Sequence, residues 1–270
     1  MRIGAVSYLN TKPLVYGLQQ RAPLARLTFD LPSRLADQLA AGLLDAALIP
    51  SIEYFQNPNY VILSDACIGC RGPVLSVKLL SCTPMHQIRT LALDEGSRTS
   101  AALAQILLHQ RYNIRPAVIP FPVDASPDSV RADALLMIGD RAMHPPQGFS
   151  QVWDLGDEWL RFAELPFVFA MWVADADVVN QPSRREEFAA LETALGQARD
   201  AGVEHLPEIA APEALRVGLS FDQTLVYLRD NLYFFLGPRE LAGLKLFYHH
   251  ACRLGLAPPE HTIARFAAAN

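Results

Sequence analysis

The segment Asp94–Ser100, which reads Asp-Glu-Gly-Ser-Arg-Thr-Ser, follows a strand-like run, Arg89–Leu93, and precedes a helical pattern, Ala101–Gln110. The first turn of a helix has N–H groups without intrahelical partners and carries partial positive charge, so it readily binds an anion. Three hydroxyls and one guanidinium in the segment add donors. The alternative is a local role, in which Ser97 or Thr99 caps the helix, and one hydroxyl can serve both purposes.

The composition is that of a globular protein. Of the 270 residues, 51% are hydrophobic and 19% are charged, which predicts a well-filled core. The net charge of −5 argues against nucleic acid as a partner. No apolar run reaches the roughly 18 residues of a membrane helix, so we expect no membrane partner either. The chain opens directly as a strand, without the pattern of a leader peptide, and we therefore expect a cytoplasmic protein.

The order of predicted elements indicates an α/β protein with two lobes. Strands and helices alternate over residues 1–87, repeat over 88–167, and are followed by a strand and three helices. We predict a first lobe of 1–87 plus 168–270 and an inserted second lobe of 88–167, with crossovers near 84–90 and 163–168. A cleft between two such lobes is a usual site for a small ligand. The three C-terminal helices are expected at 184–201, 221–235 and 238–254.

Polar residues follow several predicted strands, which is where open α/β sheets bind their ligands. The first lobe contributes Ser7–Asn10, Pro50–Glu53 and Ser76, and the second contributes Ser97–Ser100 and Gly139–Asp140. Hydroxyls, an amide and backbone N–H groups suit carboxylates, because all of them donate hydrogen bonds to oxyanions. A local structural role is the alternative for each of these residues.

Several sequence motifs are absent, and each absence argues against a class of function. The sequence has no Gly-x-Gly-x-x-Gly, no phosphate-binding Gly-x-x-x-x-Gly-Lys, no Gly-x-Ser-x-Gly and no His-Glu-x-x-His. Among seven histidines, the nearest to a cleft loop is His144, four residues after Asp140, so a histidine base is not favoured. Cys67 and Cys70 form a lone CxxC, for which only scattered residues could complete a zinc site. We therefore expect reduced cysteines, no metal and no cofactor.

Six segments match one known family in chain order: Val6–Leu14, Asp45–Tyr54, Gly72–Val77, Leu93–Ser100, Ile138–Ala142 and Asp154–Trp159. They resemble the chorismate dehydratase family, which opens the futalosine route to menaquinone. A sister family, 1,4-dihydroxy-6-naphthoate synthase, has a Ser-Pro-Cys-Pro-Asn-type loop where this chain reads Ser-Tyr-Leu-Asn from Ser7 to Asn10. The loop therefore favours the dehydratase.

The resemblance implies a periplasmic-binding-protein type II fold and a dicarboxylate substrate, chorismate, which loses water to give 3-[(1-carboxyvinyl)oxy]benzoate. We expect the hydroxyls of the segment Ser97–Ser100 to bind one carboxylate. Asn10, with Ser7 and Ser76, would hold the enolpyruvyl end or the departing hydroxyl. The full set of expected substrate-binding residues is Ser7, Tyr8, Ser51, Ser97, Arg98, Thr99, Ser100, Gly139, Pro166 and Phe167.

The base that removes the proton from the substrate is open. Glu53 and Asp140 are the protein candidates, and they complete the expected catalytic set with Asn10 and Ser76. The alternative, which we favour, is that the enolpyruvyl carboxylate of the substrate takes the proton. Two other functions remain as alternatives to the dehydratase: that of the sister naphthoate synthase and that of a non-catalytic carboxylate-binding protein. The oligomeric state is not predicted.

Overall fold

The structure, a computed structural model, describes residues 1–267. In this range the strands are β1 Arg2–Val6, β2 Arg26–Asp30, β3 Ala46–Pro50, β4 Tyr60–Cys70, β5 Val77–Ser81, β6 Thr90–Asp94, β7 Ala117–Phe121, β8 Ala134–Ile138, β9 Gln151–Asp154, β10 Phe167–Asp175 and β11 Tyr233–Phe235.

The helices lie between and after these strands. Short 3₁₀ turns occupy Leu9–Val15, Met85–Gln87, Pro127–Ser129 and Asp140–Met143, and one π-helical turn occupies Tyr227–Asn231. The α-helices are α1 Leu18–Arg21, α2 Pro32–Ala40, α3 Ser51–Tyr54, α4 Arg98–Tyr112, α5 Leu155–Ala163, α6 Ala176–Val179, α7 Pro182–Glu204, α8 Leu206–Val217, α9 Phe221–Val226 and α10 Pro238–Arg253.

The strands form two mixed sheets. The first has the order β11-β4-β10-β3-β1-β2, and the second has the order β7-β6-β8-β5-β9. We call the first sheet, with α2, α7 and α10 packed on it, the first lobe, and the second sheet, with α4 and α5, the second lobe. In each sheet one central strand is buried over its whole length, β3 in the first sheet and β8 in the second. The predicted two-lobed α/β class is confirmed.

The first crossover between the lobes lies earlier than expected. β5 pairs with β8 through Val77–Ile138 and with β9 through Lys78–Asp154, so it belongs to the second sheet. The boundary at residue 87 and the hinge near 84–90 are therefore too late, since the chain has already crossed between Cys70 and Val77. It returns to the first sheet with β10 at Phe167.

The largely apolar run Gly72–Leu80 could form one long strand, but the crossover between the lobes interrupts it. Leu75 has a φ of 65°, in the left-handed region that non-glycine residues seldom adopt. The carboxylate of Asp154 holds this bend, because it accepts the N–H groups of Val74 at 2.9 Å and Leu75 at 2.7 Å. Extended structure begins only at Val77, and Ser76 stays in the loop.

The C-terminal helices differ from the predicted ones in three ways. Gly202 does not end α7 but lies inside it, where an added Cβ would be 2.0 Å from the carbonyl oxygen of Pro13. The helix α8 was not predicted. The helix expected over 221–235 is instead α9, a π-helical turn and the strand β11.

A continuous apolar core joins the two lobes. It includes Leu48 of β3, Trp172 of β10 and Phe247 of α10, and it extends to Leu103 and Leu107 of α4 in the second lobe. No helix within the described range is long and apolar enough to cross a bilayer.

Candidate active site

A narrow cavity lies between the carboxyl ends of strands from both lobes. The space between its lining atoms is about 470 Å³, a volume that includes the open solvent at its mouth. Most of its wall is apolar, and a few polar groups converge on it. The lining residues are Val6, Tyr8, Asn10, Pro32, Pro50, Ile68, Val74, Ser76, Val77, Ser97, Ser100, Ile138, Gly139, Phe169 and Ala170.

Tyr8 forms the wall where the two lobes meet. It follows β1, and its ring lies so close to Gly139 that a Cβ there would be 2.8 Å from the ring carbons. Its hydroxyl lies near Gly96, where a Cβ would be 3.2 Å away. Burial, and to a smaller extent the charge of Asp94, raise the pKa of Tyr8 well above its ordinary value, so the phenol stays protonated.

Ser97 and Ser100 bring hydroxyls to the start of α4. Ser97 caps the helix, since its oxygen accepts the N–H of Ser100 at 3.3 Å. It also donates to the Ser100 hydroxyl at 2.9 Å. Both serines line the cavity as well, so the cap and the ligand-binding interpretations of this segment are compatible.

Asp94 organises the loop beneath these serines. Its carboxylate accepts the N–H of Gly96 at 2.9 Å and that of Ile138 at 3.3 Å, and it forms an ion pair with Arg141. Burial raises the pKa of Asp94, although the guanidinium of Arg141 and both N–H groups oppose that rise. The pair fixes the ends of β6 and β8, which are the strands that place Ser97 and Gly139.

Ser76 and Asn10 approach the cavity from the first crossover and from the loop after β1. Ser76 is 1% exposed, and its hydroxyl oxygen accepts a hydrogen bond of 2.9 Å from the phenol of Tyr227. Asn10 is the other polar side chain near that phenol. Together these residues form a polar cluster at the cavity, in addition to that of Ser97 and Ser100.

Two expected binding residues are used in the contact between the lobes. The Thr99 hydroxyl of the second lobe accepts the N–H of Ile52 at 3.1 Å, and Thr99 is fully buried. Ser51 donates to the carbonyl of Val168 at 2.8 Å and lies 3.4 Å from the Thr99 hydroxyl. Neither residue lines the cavity.

The charged candidates also lie outside the cavity. Glu53 and Arg98 form an ion pair of 3.1 Å across the lobes, and Arg98 forms a second pair with Asp37. Asp140 accepts the N–H of Leu9 at 3.0 Å and pairs with Arg216 at 3.3 Å. Burial raises the pKa of Asp140, opposed by those two partners.

The remaining expected residues serve the fold. Ser7 is exposed, and its N–H donates to the carbonyl of Asp30. The carbonyl of Pro166 accepts the indole N–H of Trp159 at 3.2 Å. Phe167 is buried against Trp159 and Phe247, and it is the next aromatic residue, Phe169, that reaches the cavity.

Several site residues were not predicted, and for most of them the sequence carried a usable signal. Pro32 lies two residues after the end of β2, so the strand-end rule should have included it, as it included Pro50 at the end of β3. Ile68 and Phe169 face the cavity from strands that read only as apolar. Tyr227 carried no signal, because its run predicted an ordinary core helix.

The cysteines of the CxxC lie inside β4. Both are fully buried thiols, and burial raises the pKa of Cys70 to about 12. Within residues 1–267, no three His, Cys, Asp or Glu side chains are grouped as a metal site would require.

Known proteins resemble the chain in sequence and in fold. The chorismate dehydratase of Thermus thermophilus is 29% identical over 268 residues, which covers 91% of this chain and 93% of that protein. A solved protein of Archaeoglobus fulgidus superimposes with a TM-score of 0.75 at 17% identity, covering 94% of this chain and 97% of the other.

The periplasmic aliphatic sulphonate binding protein SsuA of Escherichia coli superimposes with a TM-score of 0.62 at 16% identity, covering 97% and 94% of the two chains. These structural likenesses confirm the predicted periplasmic-binding-protein fold. A sequence model of proteins of menaquinone biosynthesis matches residues 1–253. The chain thus belongs to the menaquinone biosynthesis family.

Proposed function

We propose that this protein is a chorismate dehydratase, which removes water from chorismate to form 3-[(1-carboxyvinyl)oxy]benzoate. Membership of the menaquinone biosynthesis family and the similarity to the Thermus thermophilus enzyme support this activity. The observation that carries the proposal is the cavity itself. It is an apolar slot whose polar groups are hydroxyls and one amide, contributed by both lobes.

The cavity chemistry suits a flat dicarboxylate. Phe169, Ile68 and Val74 offer apolar surface to a six-membered ring. Ser97 and Ser100, at the start of α4, would bind one carboxylate through hydroxyl and N–H donors. Asn10 and Ser76, on the other side, would hold the enolpyruvyl end or the departing hydroxyl.

The base, we infer, belongs to the substrate. Among the residues that the structure describes, no Asp, Glu, His or Lys side chain lines the cavity. Glu53 and Asp140 are engaged in ion pairs between the lobes. The enolpyruvyl carboxylate of chorismate would then take the proton from C3 while the C4 hydroxyl leaves, and aromatisation drives the elimination. The protein contributes orientation and hydrogen bonds to the departing oxygen.

The test is turnover of chorismate by the purified protein without any added cofactor, followed by chromatography and mass spectrometry. We expect a product lighter than chorismate by one water. Ser76→Ala and Asn10→Ala should lower kcat, whereas Cys82→Ser, on an exposed thiol outside the cavity, should leave it unchanged.

Other outcomes contradict the proposal. If chorismate protects the protein against heat but is not converted, the protein is a carboxylate-binding protein. If chorismate neither protects the protein against heat nor is converted, the cyclic futalosine-derived substrate of the sister naphthoate synthase is the next compound to test.

A further inference from the structure

A π-helical turn holds the crossover that carries Ser76. At one end of the turn, the phenol of Tyr227 donates to the Ser76 hydroxyl at 2.9 Å. At the other end, the side-chain amide of Asn231 donates to the carbonyl of Pro73 at 2.9 Å. A π-helical turn is rare and occurs frequently at functional sites. Here it brings two side chains to one short loop.

We propose that Tyr227 is a positioning residue, which keeps the Ser76 hydroxyl pointing its proton into the cavity. The inference rests on the proposed function, in which Ser76 contacts the enolpyruvyl end or the departing hydroxyl of chorismate. Tyr227 itself is 1% exposed and is not among the residues that line the cavity, so it would act only through its neighbours.

The direction of the serine proton follows from counting donors. A serine hydroxyl has one proton and two acceptor positions, and the phenol occupies one of those positions. Within residues 1–267, the acceptor that the Ser76 hydroxyl reaches is the carbonyl of Val74 at 3.4 Å, which is long for an O–H donor. The cavity is therefore the favourable direction for the proton.

The phenol can keep this role over the working range of pH. Burial raises the pKa of Tyr227 far above its ordinary value, so the group remains a neutral donor. Asn10, the second polar neighbour of the phenol, also lines the cavity.

A fixed donor has a defined effect on elimination. Negative charge grows on the departing C4 oxygen as the carbon–oxygen bond breaks, and a hydrogen bond already aimed at that oxygen stabilises the charge. Ser76 donates this bond without giving up its proton. If the Ser76 hydroxyl is no longer held in this orientation, kcat should therefore fall by more than KM changes.

The experiment is a double-mutant cycle with chorismate as substrate. Tyr227→Phe should lower kcat about tenfold and change KM less than about twofold, as expected for one lost hydrogen bond. In a Ser76→Ala background, the same substitution should lower kcat no further, because the hydroxyl that it positions is gone. Tyr54→Phe is the matched control, since that buried phenol bonds to backbone groups of Thr262 and Ala264, and its loss should leave kcat unchanged.

Each result decides the inference. An unchanged kcat for Tyr227→Phe overturns it, and so does an equal loss in both backgrounds, which would indicate a general structural role. Thermal melting of each variant separates misfolding from misplacement of Ser76. An inactive wild-type protein contradicts the proposed function and removes the basis of this inference. If the wild type is active and the kcat losses of Tyr227→Phe and Ser76→Ala are additive, only this inference is contradicted.

Discussion

Nη1 of Arg98 lies 3.1 Å from Oε2 of Glu53, so a guanidinium of the second lobe neutralises the carboxylate that follows β3 in the first. Arg98 also pairs with Asp37 at 2.9 Å, and its side chain is 40% exposed. Partly exposed pairs of this kind contribute about 0–1 kcal/mol. Glu53 therefore belongs to a contact that joins the lobes, outside the cavity.

Replacing Glu53 with Gln should consequently leave kcat within about threefold of wild type. A general base would instead cost about 10²–10⁴-fold in kcat. Steady-state kinetics with chorismate make the comparison, and Arg98→Gln is the matched variant on the opposite side of the pair. A loss of kcat of a hundredfold or more in a folded Glu53→Gln protein would restore Glu53 as the base.

Asp140→Asn, like Glu53→Gln, should leave kcat close to that of wild type. It should also change how the stability of the folded protein depends on pH. Burial raises the folded-state pKa of Asp140 above its ordinary value of 3.8. The folded protein therefore holds this proton more tightly than the unfolded chain does. The stability contributed by the protonated carboxyl is complete below pH 3.8 and is lost as pH rises through the higher folded-state pKa.

The measurement is thermal melting of both proteins in steps from about pH 3 to pH 7. The melting temperature of wild type minus that of Asp140→Asn should decrease as pH rises across this window. A difference that instead grows with pH would mean that the bonds from Leu9 and Arg216 outweigh burial.

Gly139→Ala should damage the site through Tyr8. Gly139 has φ 68° and ψ −156°, a region that is almost exclusive to glycine and costs other residues about 1–3 kcal/mol. The new Cβ would also lie 2.8 Å from the Tyr8 ring, which must move into the cavity. We expect a lower melting temperature together with a higher KM for chorismate.

Gly42→Ala separates these two effects. Gly42 also has a positive φ, 67°, but apart from its two chain neighbours no residue of the described range has an atom within 4 Å of its added Cβ. This variant should lose stability and keep the wild-type KM. Equal KM values for the Gly139 and Gly42 variants would show that Tyr8 does not shape the substrate site.

The polar residues after the strands illustrate how far the sequence can predict this site. Ser97, Ser100 and Asn10 line the cavity as expected, because the carboxyl ends of strands can be located from apolar runs. Ser76 lines it too, but from the loop that precedes β5. Thr99 follows the same rule, yet its hydroxyl is taken by the N–H of Ile52. The local sequence pattern gives the position of a side chain along a strand or helix. The partner that it meets on the other lobe depends on how the whole chain folds.

The boundary between the lobes shows the same limit. The sequence of Val77–Ser81 would suit a strand in either sheet, since an apolar run does not show which strands it pairs with. Its pairing with β8 and β9 depends on the bend at Leu75, which the sequence does not signal because leucine rarely adopts positive φ. Asp154, almost eighty residues later, stabilises that bend.

Asp154→Asn tests whether the bend matters for Ser76. Oδ1 of Asp154 accepts the N–H groups of Val74 and Gly156, and Oδ2 accepts that of Leu75 at 2.7 Å. An asparagine can keep its oxygen on the first side and still cap α5, but its NH₂ group would face the N–H of Leu75. Two donors would then oppose each other, at a cost of about 1–3 kcal/mol.

We expect this variant to unfold at lower temperature and to lose about tenfold in kcat, because Ser76 directly follows the released bend. Asp175→Asn is the matched control: Asp175 caps α6 through the N–H of Asp177 at 2.9 Å, and it pairs with Tyr60, at the end of β4 opposite the crossover. That control should change the melting temperature only slightly and kcat not at all. If Asp154→Asn loses stability but keeps full kcat, the bend supports the fold without aligning Ser76, and the alignment depends on Tyr227 alone.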